Sequence, residues 1–84
     1  MKILIAEDEP SLRENLQWML ELEGYEVTAA CHGGEALAYA QQARPDLVLT
    51  AVMMPVLDGY GLIRALRDAS KLATVPILIL TARA

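Results

Sequence analysis

The chain has 84 residues, 55% of them hydrophobic, with 7 basic against 11 acidic side chains and a formal net charge of −4. That length accommodates a single domain over residues 1–84, and the apolar share supports a packed core and excludes a disordered chain. The acidic balance excludes an electrostatic footprint for nucleic acid, and the early apolar run is too short to span a membrane, so a cytoplasmic protein is expected, any DNA contact coming from another domain.

In chain order, "KILIA" (2–6) is a continuous apolar run of the kind found in strands covered on both faces. "PSLRENLQWMLELEG" follows, with Leu12, Leu16, Met19 and Leu20 at helical spacing, Pro10 suited to a helix start and Gly24 to the position past its end. "YEVTAA" (25–30) alternates, Tyr25 and Val27 on one face and Glu26 and Thr28 on the other, which predicts an edge strand. The lone Cys31 has only His32 beside it, so it forms neither an internal disulfide nor a metal-ligand set, and a small buried or half-buried thiol is expected. "GGEALAYAQQARP" carries Ala36, Leu37, Ala40 and Ala43 on one stripe and is stopped by Pro45.

"DLVLT" (46–50) is a second two-sided apolar strand, and "DGYGLIRALRDA" places Leu62, Ile63 and Leu66 on another helical stripe. In "VPILIL" (75–80) both alternating sets are apolar, which predicts a central strand, yet the chain stops four residues later. At least one further strand and its covering helices are therefore expected after Ala84 or from another chain. An open edge there predicts self-association or segment swapping through this strand. The order β-α-β-α-β-α-β with right-handed crossovers specifies a doubly wound α/β fold with a parallel sheet.

Such sheets present their chemistry at the carboxyl ends of the strands, here Glu7-Asp8-Glu9, Ala51-Val52-Met53 and Thr81-Ala82. Adjacent Glu7 and Asp8 offer oxygen ligands to a hard divalent cation such as Mg²⁺, with waters retained. A solvated acidic turn at a helix start accounts for the same residues equally well. The Thr81 hydroxyl suits donation to an anion, or simply local backbone satisfaction. Gly33-Gly34 lacks the spacing of a phosphate-binding loop, and the single His32 supports no Ser-His-Asp set. Trp18, Tyr25, Tyr39 and Tyr60 are read as packing residues.

Taken together, "ILIAEDEPSLRENLQWMLELEGYEV", "GGEALA", "PDLVLTAVMMPVLDGYGLIRALR" and "VPILILTARA" resemble the receiver domain of bacterial two-component response regulators over essentially the whole chain. The resemblance implies a flavodoxin- and CheY-like sheet of strand order 2-1-3-4-5, of which this chain would hold 2-1-3-4 and lack the fifth strand and last helices. It implies a signalling switch rather than an enzyme. The switch takes a phosphoryl group from a sensor histidine kinase or phosphotransfer protein onto an aspartate, often ahead of a DNA-binding output domain. By position, Glu7 and Asp8 match the acidic pair that holds Mg²⁺, Asp8 as the closer ligand and Glu7 through water. Met53 matches the residue lending its backbone carbonyl to the metal, Thr81 the switch hydroxyl, and Pro55 and Gly59 the loop after the phosphorylation site.

Two departures qualify that picture. Ala51 stands where the family has its phosphoacceptor aspartate, and the family's phosphate-binding lysine would lie on a fifth strand, while Lys2 and Lys71 fall elsewhere in the pattern. A methyl group supplies neither nucleophile nor metal ligand, so the chain as written is expected to take no phosphoryl group and to bind Mg²⁺ weakly or not at all. One reading is a receiver inactivated at this position, by design or by natural loss, the persistence of Glu7, Asp8 and Thr81 favouring design. The alternative is a pseudo-receiver that binds partners independently of phosphorylation. A flavodoxin-like cofactor binder is disfavoured by the missing phosphate loop.

Overall fold

The computed structural model describes residues 1–52, 54 and 57–80. They form β1 (Lys2–Ala6), α1 (Pro10–Leu22), β2 (Glu26–Ala30), α2 (Gly33–Gln42), β3 (Leu47–Ala51), α3 (Gly59–Asp68) and β4 (Ile77–Leu80). Every strand pairing is parallel and the order is β2-β1-β3-β4, the doubly wound α/β arrangement expected from the alternation of elements. No described helix is long and apolar enough to cross a membrane.

The two inner strands show why their sequences are apolar throughout. On β1, Leu4 and Ala6 face one way and join Val48 of β3 in a core closed by Ala36 and Ala40 of α2 and Leu62 and Leu66 of α3. Ile3, Ile5 and Leu49 face the other way, under Leu16 and Leu20 of α1. A strand buried on both faces has no room for polar alternation. Register follows from the same packing: Ile3 stands beside Leu47 and Ala6 beside Thr50, so the carboxyl ends of β1 and β3 finish level.

Each helix begins on a side-chain cap, which satisfies donors the first turn leaves free. Glu9 caps α1, with Pro10 at the first helical position. His32 caps α2 by accepting from the Glu35 N–H at 3.0 Å, and Glu35 reaches back to the Cys31 N–H at 2.9 Å, a reciprocal box. Asp58 caps α3 through the Gly61 N–H at 2.7 Å. Past α1 the chain turns at Gly24 with φ +92°, a conformation only glycine adopts freely.

Three expectations are corrected. Leu12 and Met19 do not join the core: they are 42% and 55% exposed, because α1 rests on the sheet along its Leu16–Leu20 edge alone. Cys31 is exposed rather than buried, since it lies beyond the end of β2, where the chain bends off the sheet into α2. Within the described residues β4 pairs with β3 alone and leaves the open edge expected of a sheet of order 2-1-3-4, and its Leu78 and Ile79 are exposed. β3 also begins and ends one residue later than expected, taking in Ala51.

Candidate functional site

At the carboxyl end of the sheet three consecutive carboxylates are sorted into three roles. Glu7 prolongs β1, donating its N–H to the Ala30 carbonyl at 3.1 Å, and its side chain is buried, with 5% exposure. Its Oε2 accepts from the Glu9 N–H at 3.0 Å. Glu9 is consumed by the helix cap, accepting from the Ser11 and Leu12 N–H groups at 3.3 and 2.6 Å. Asp8, between them, is exposed.

Burial is the largest influence on Glu7, and it pushes the carboxyl above its ordinary value of 4.5 against the pull of the Glu9 N–H. The neighbouring Asp8 raises it further, by sharing a hydrogen bond with the protonated form and by like charge. Two adjacent carboxyls, one of them reluctant to ionise, are the donor chemistry that a hard divalent cation relieves, with oxygen ligands of the type Mg²⁺ takes. Among the described residues no group of three or more His, Cys, Asp or Glu side chains converges as a metal site, so Glu7 and Asp8 supply a pair and no more.

The third position of that pair's surroundings is Ala51. It closes β3 beside Leu80, with 8% exposure. Carrying the Ala6–Thr50 pairing one residue further sets Ala51 level with Glu7. Its backbone is confined: the Thr50 hydroxyl donates to the Ala51 carbonyl at 3.0 Å, and the Gly59 N–H donates to the Val52 carbonyl at 2.9 Å. A Cβ on Gly59 would strike the Ala51 carbonyl oxygen and stand 3.1 Å from Val52 Cα, so glycine is what lets α3 start against the strand end. Met53, Pro55 and Thr81 lie outside the described residues.

One residue at the site had no place in the sequence reading. Arg13, in the second turn of α1, turns back so that its Nη1 donates to the Glu7 carbonyl at 3.0 Å and to the Asp8 carbonyl at 3.4 Å. A cation this close to a helix N-terminus opposes the helix dipole and calls for a compensating partner, which is the signal that points to it. Two clefts, of about 360 Å³ around Lys2, Glu26 and Tyr39 and about 490 Å³ around Arg44 and Lys71, lie at the opposite end of the sheet and contribute nothing here.

Comparison with known proteins identifies the family and the fold. The response regulator receiver domain family matches residues 3–84. A probable transcriptional regulator, ycf27 of Cyanophora paradoxa, is 48% identical over 81 residues, covering 96% of this chain and 33% of that protein. The chain thus spans about a third of the length of such curated relatives. Among solved structures, the Vibrio cholerae chemotaxis protein CheY4 superposes with a TM-score of 0.94 at 41% identity, covering 99% of this chain and 69% of that one. The receiver domain of sensor histidine kinase PA1611 from Pseudomonas aeruginosa, solved with a magnesium ion coordinated in its active-site cleft, also gives 0.94, at 38% identity and 99% and 68% coverage.

Proposed function

This chain belongs to the response regulator receiver domain family, and we propose that it is a receiver unable to accept a phosphoryl group at position 51. The observation that carries the reading is Ala51 itself, buried at the end of β3, one residue past the Ala6–Thr50 pairing as Glu7 is on the β1 side. Phosphoryl transfer to a receiver requires an ionised carboxylate in line with the donor, and a methyl group has no lone pair to offer. The rest of the site is consistent with a receiver's needs: Glu7 and Asp8 would hold Mg²⁺, with waters completing its shell, and the bound ion would neutralise charge on a phosphoryl group. Met53, through its backbone carbonyl, and Thr81, as the switch hydroxyl, complete the proposed set. The lack of a carboxylate at 51 makes Mg²⁺ binding weak in this chain.

The partners that fit are a sensor histidine kinase or phosphotransfer protein in the cytoplasm. The family's frequent DNA-binding output domain would supply nucleic-acid contacts, which the −4 charge of this chain does not favour. The test is incubation with acetyl phosphate and Mg²⁺, followed by mass spectrometry of the intact chain and its peptides. The expected result is no added phosphate in residues 46–60 of the chain and a labile phosphate there once Ala51→Asp is made. Stable phosphate in that peptide of the unaltered chain overturns the proposal. Failure of Ala51→Asp to take phosphate moves the reading to a phosphorylation-independent interaction module.

A further inference from the structure

Glu7 and Asp8 are held in place from their backbone side. We infer that Arg13 is a positioning residue for cation binding: it fixes the acidic turn by bridging the two carbonyls, rather than serving as a counter-charge to the carboxylates. The inference rests on the reading of Glu7 and Asp8 as a Mg²⁺ site. Arg13 Nη1 spans the Glu7 and Asp8 carbonyls, at 3.0 and 3.4 Å. Its own N–H donates to the Glu9 carbonyl at 2.9 Å, so the three successive carbonyls of the turn all end on this one residue. The side chains of the turn are tied separately, Glu7 to the Glu9 N–H and Glu9 to the helix start, while the exposed Asp8 has the adjoining Glu7 carboxyl as its side-chain neighbour in the turn. The backbone from which Asp8 projects is held by Arg13.

Both contacts of the Arg13 guanidinium are to backbone carbonyls and neither is to the Glu7 or Asp8 carboxylate. That separates two roles with opposite consequences. A counter-charge competes with a metal ion, and removing it strengthens metal binding; a support for ligand geometry aids the ion, and removing it weakens binding, typically by about 10–100-fold for groups behind the ligands.

The experiment is Mg²⁺ titration by calorimetry of the full chain carrying Ala51→Asp, which restores a third carboxylate, compared with the same chain carrying Arg13→Gln or Arg13→Lys as well. Melting in EDTA is recorded for each. Arg13→Gln is expected to weaken Mg²⁺ binding by about tenfold or more, and Arg13→Lys, which keeps the charge but on a shorter side chain that does not reproduce the position of Nη1 between the two carbonyls, by a smaller factor of roughly three. Equal affinity in all three overturns the inference, and so does tighter binding without Arg13, even where the melting temperature falls. If Arg13→Gln does not fold, Arg13→Lys carries the test, affinity equal to the parent overturning it. Absence of Mg²⁺ binding in the Ala51→Asp chain itself removes the site reading and this inference together, whereas binding that ignores Arg13 removes the inference alone.

Discussion

Ala51→Asp places a third carboxylate at the end of β3, level with Glu7 on the adjacent strand. Neighbouring strands run about 4.8 Å apart, so the new carboxylate stands roughly 5–8 Å from that of Glu7. At an effective dielectric near 20, two full charges at that separation repel by about 2–3 kcal/mol. Solvent screens part of this at the open end of the sheet, and the exposed Asp8 adds a similarly screened share. The net destabilisation is therefore about 1–3 kcal/mol, which in a domain of this size lowers the melting temperature by roughly 5–20 °C. Circular dichroism melting at neutral pH in EDTA measures it, with Ala51→Asn as the control that adds the same bulk without charge. Saturating Mg²⁺ should then raise the Asp variant well above its EDTA value and leave the Asn variant nearly unmoved. An Asp variant that melts as high as the Asn variant in EDTA, or that gains nothing from Mg²⁺, refutes the reasoning.

Glu7 has its own signature in pH. An acid whose folded value lies above its ordinary 4.5 binds more protons folded than unfolded, so its contribution to stability declines as pH rises past that value. Glu7→Gln should gain stability relative to the parent as pH is raised from about 4.5 to 7 in EDTA; urea denaturation at several pH values checks this, and a constant difference speaks against it. Gly59→Ala, whose Cβ has only backbone atoms of Ala51 and Val52 to displace, should destabilise by about 1–3 kcal/mol, and an unshifted melting temperature would show that the strand end yields. Arg67 donates to the Ala73 and Val75 carbonyls at 2.7 and 2.8 Å, so Arg67→Ala should lower stability by about 1.5–3 kcal/mol, read from the urea midpoint at constant slope.

How much of this was visible in the residues alone differs by element. "KILIA" and "DLVLT" declared themselves because a strand covered on both faces does not alternate polar with apolar residues, and β1 and β3 are so covered. Leu62 and Leu66 read correctly because α3 lies flat on the core, both at 0% exposure. The stripe of α1 misled, since spacing identifies an apolar face but not how much of it meets the sheet. Cys31 misled for a related reason: it follows an edge strand in sequence, yet the chain has already left the sheet. The cap on α2 was hidden by its residue type, histidine seldom serving in that place, although Glu35 three residues on was a clue. At the site, Glu7 and Asp8 were legible as adjacent acids at a strand end. Arg13 was not, because its contacts join a helix to the turn before it, a relation that no single periodicity describes.

No residue of α1 is fully buried, and the helix is seated on the sheet by Leu16 and Leu20, whereas α2 and α3 are each locked by side chains inside the core. Local opening free energies scale with such anchoring, so of the three helices α1 is expected to detach first, at a fraction of the global unfolding energy. That helix also carries the Arg13 side chain that holds the Glu7 and Asp8 carbonyls. The acidic turn therefore has a clock as well as a shape: how long it keeps its geometry is set by how seldom α1 lifts, and amide exchange along residues 11–22 reads that interval directly.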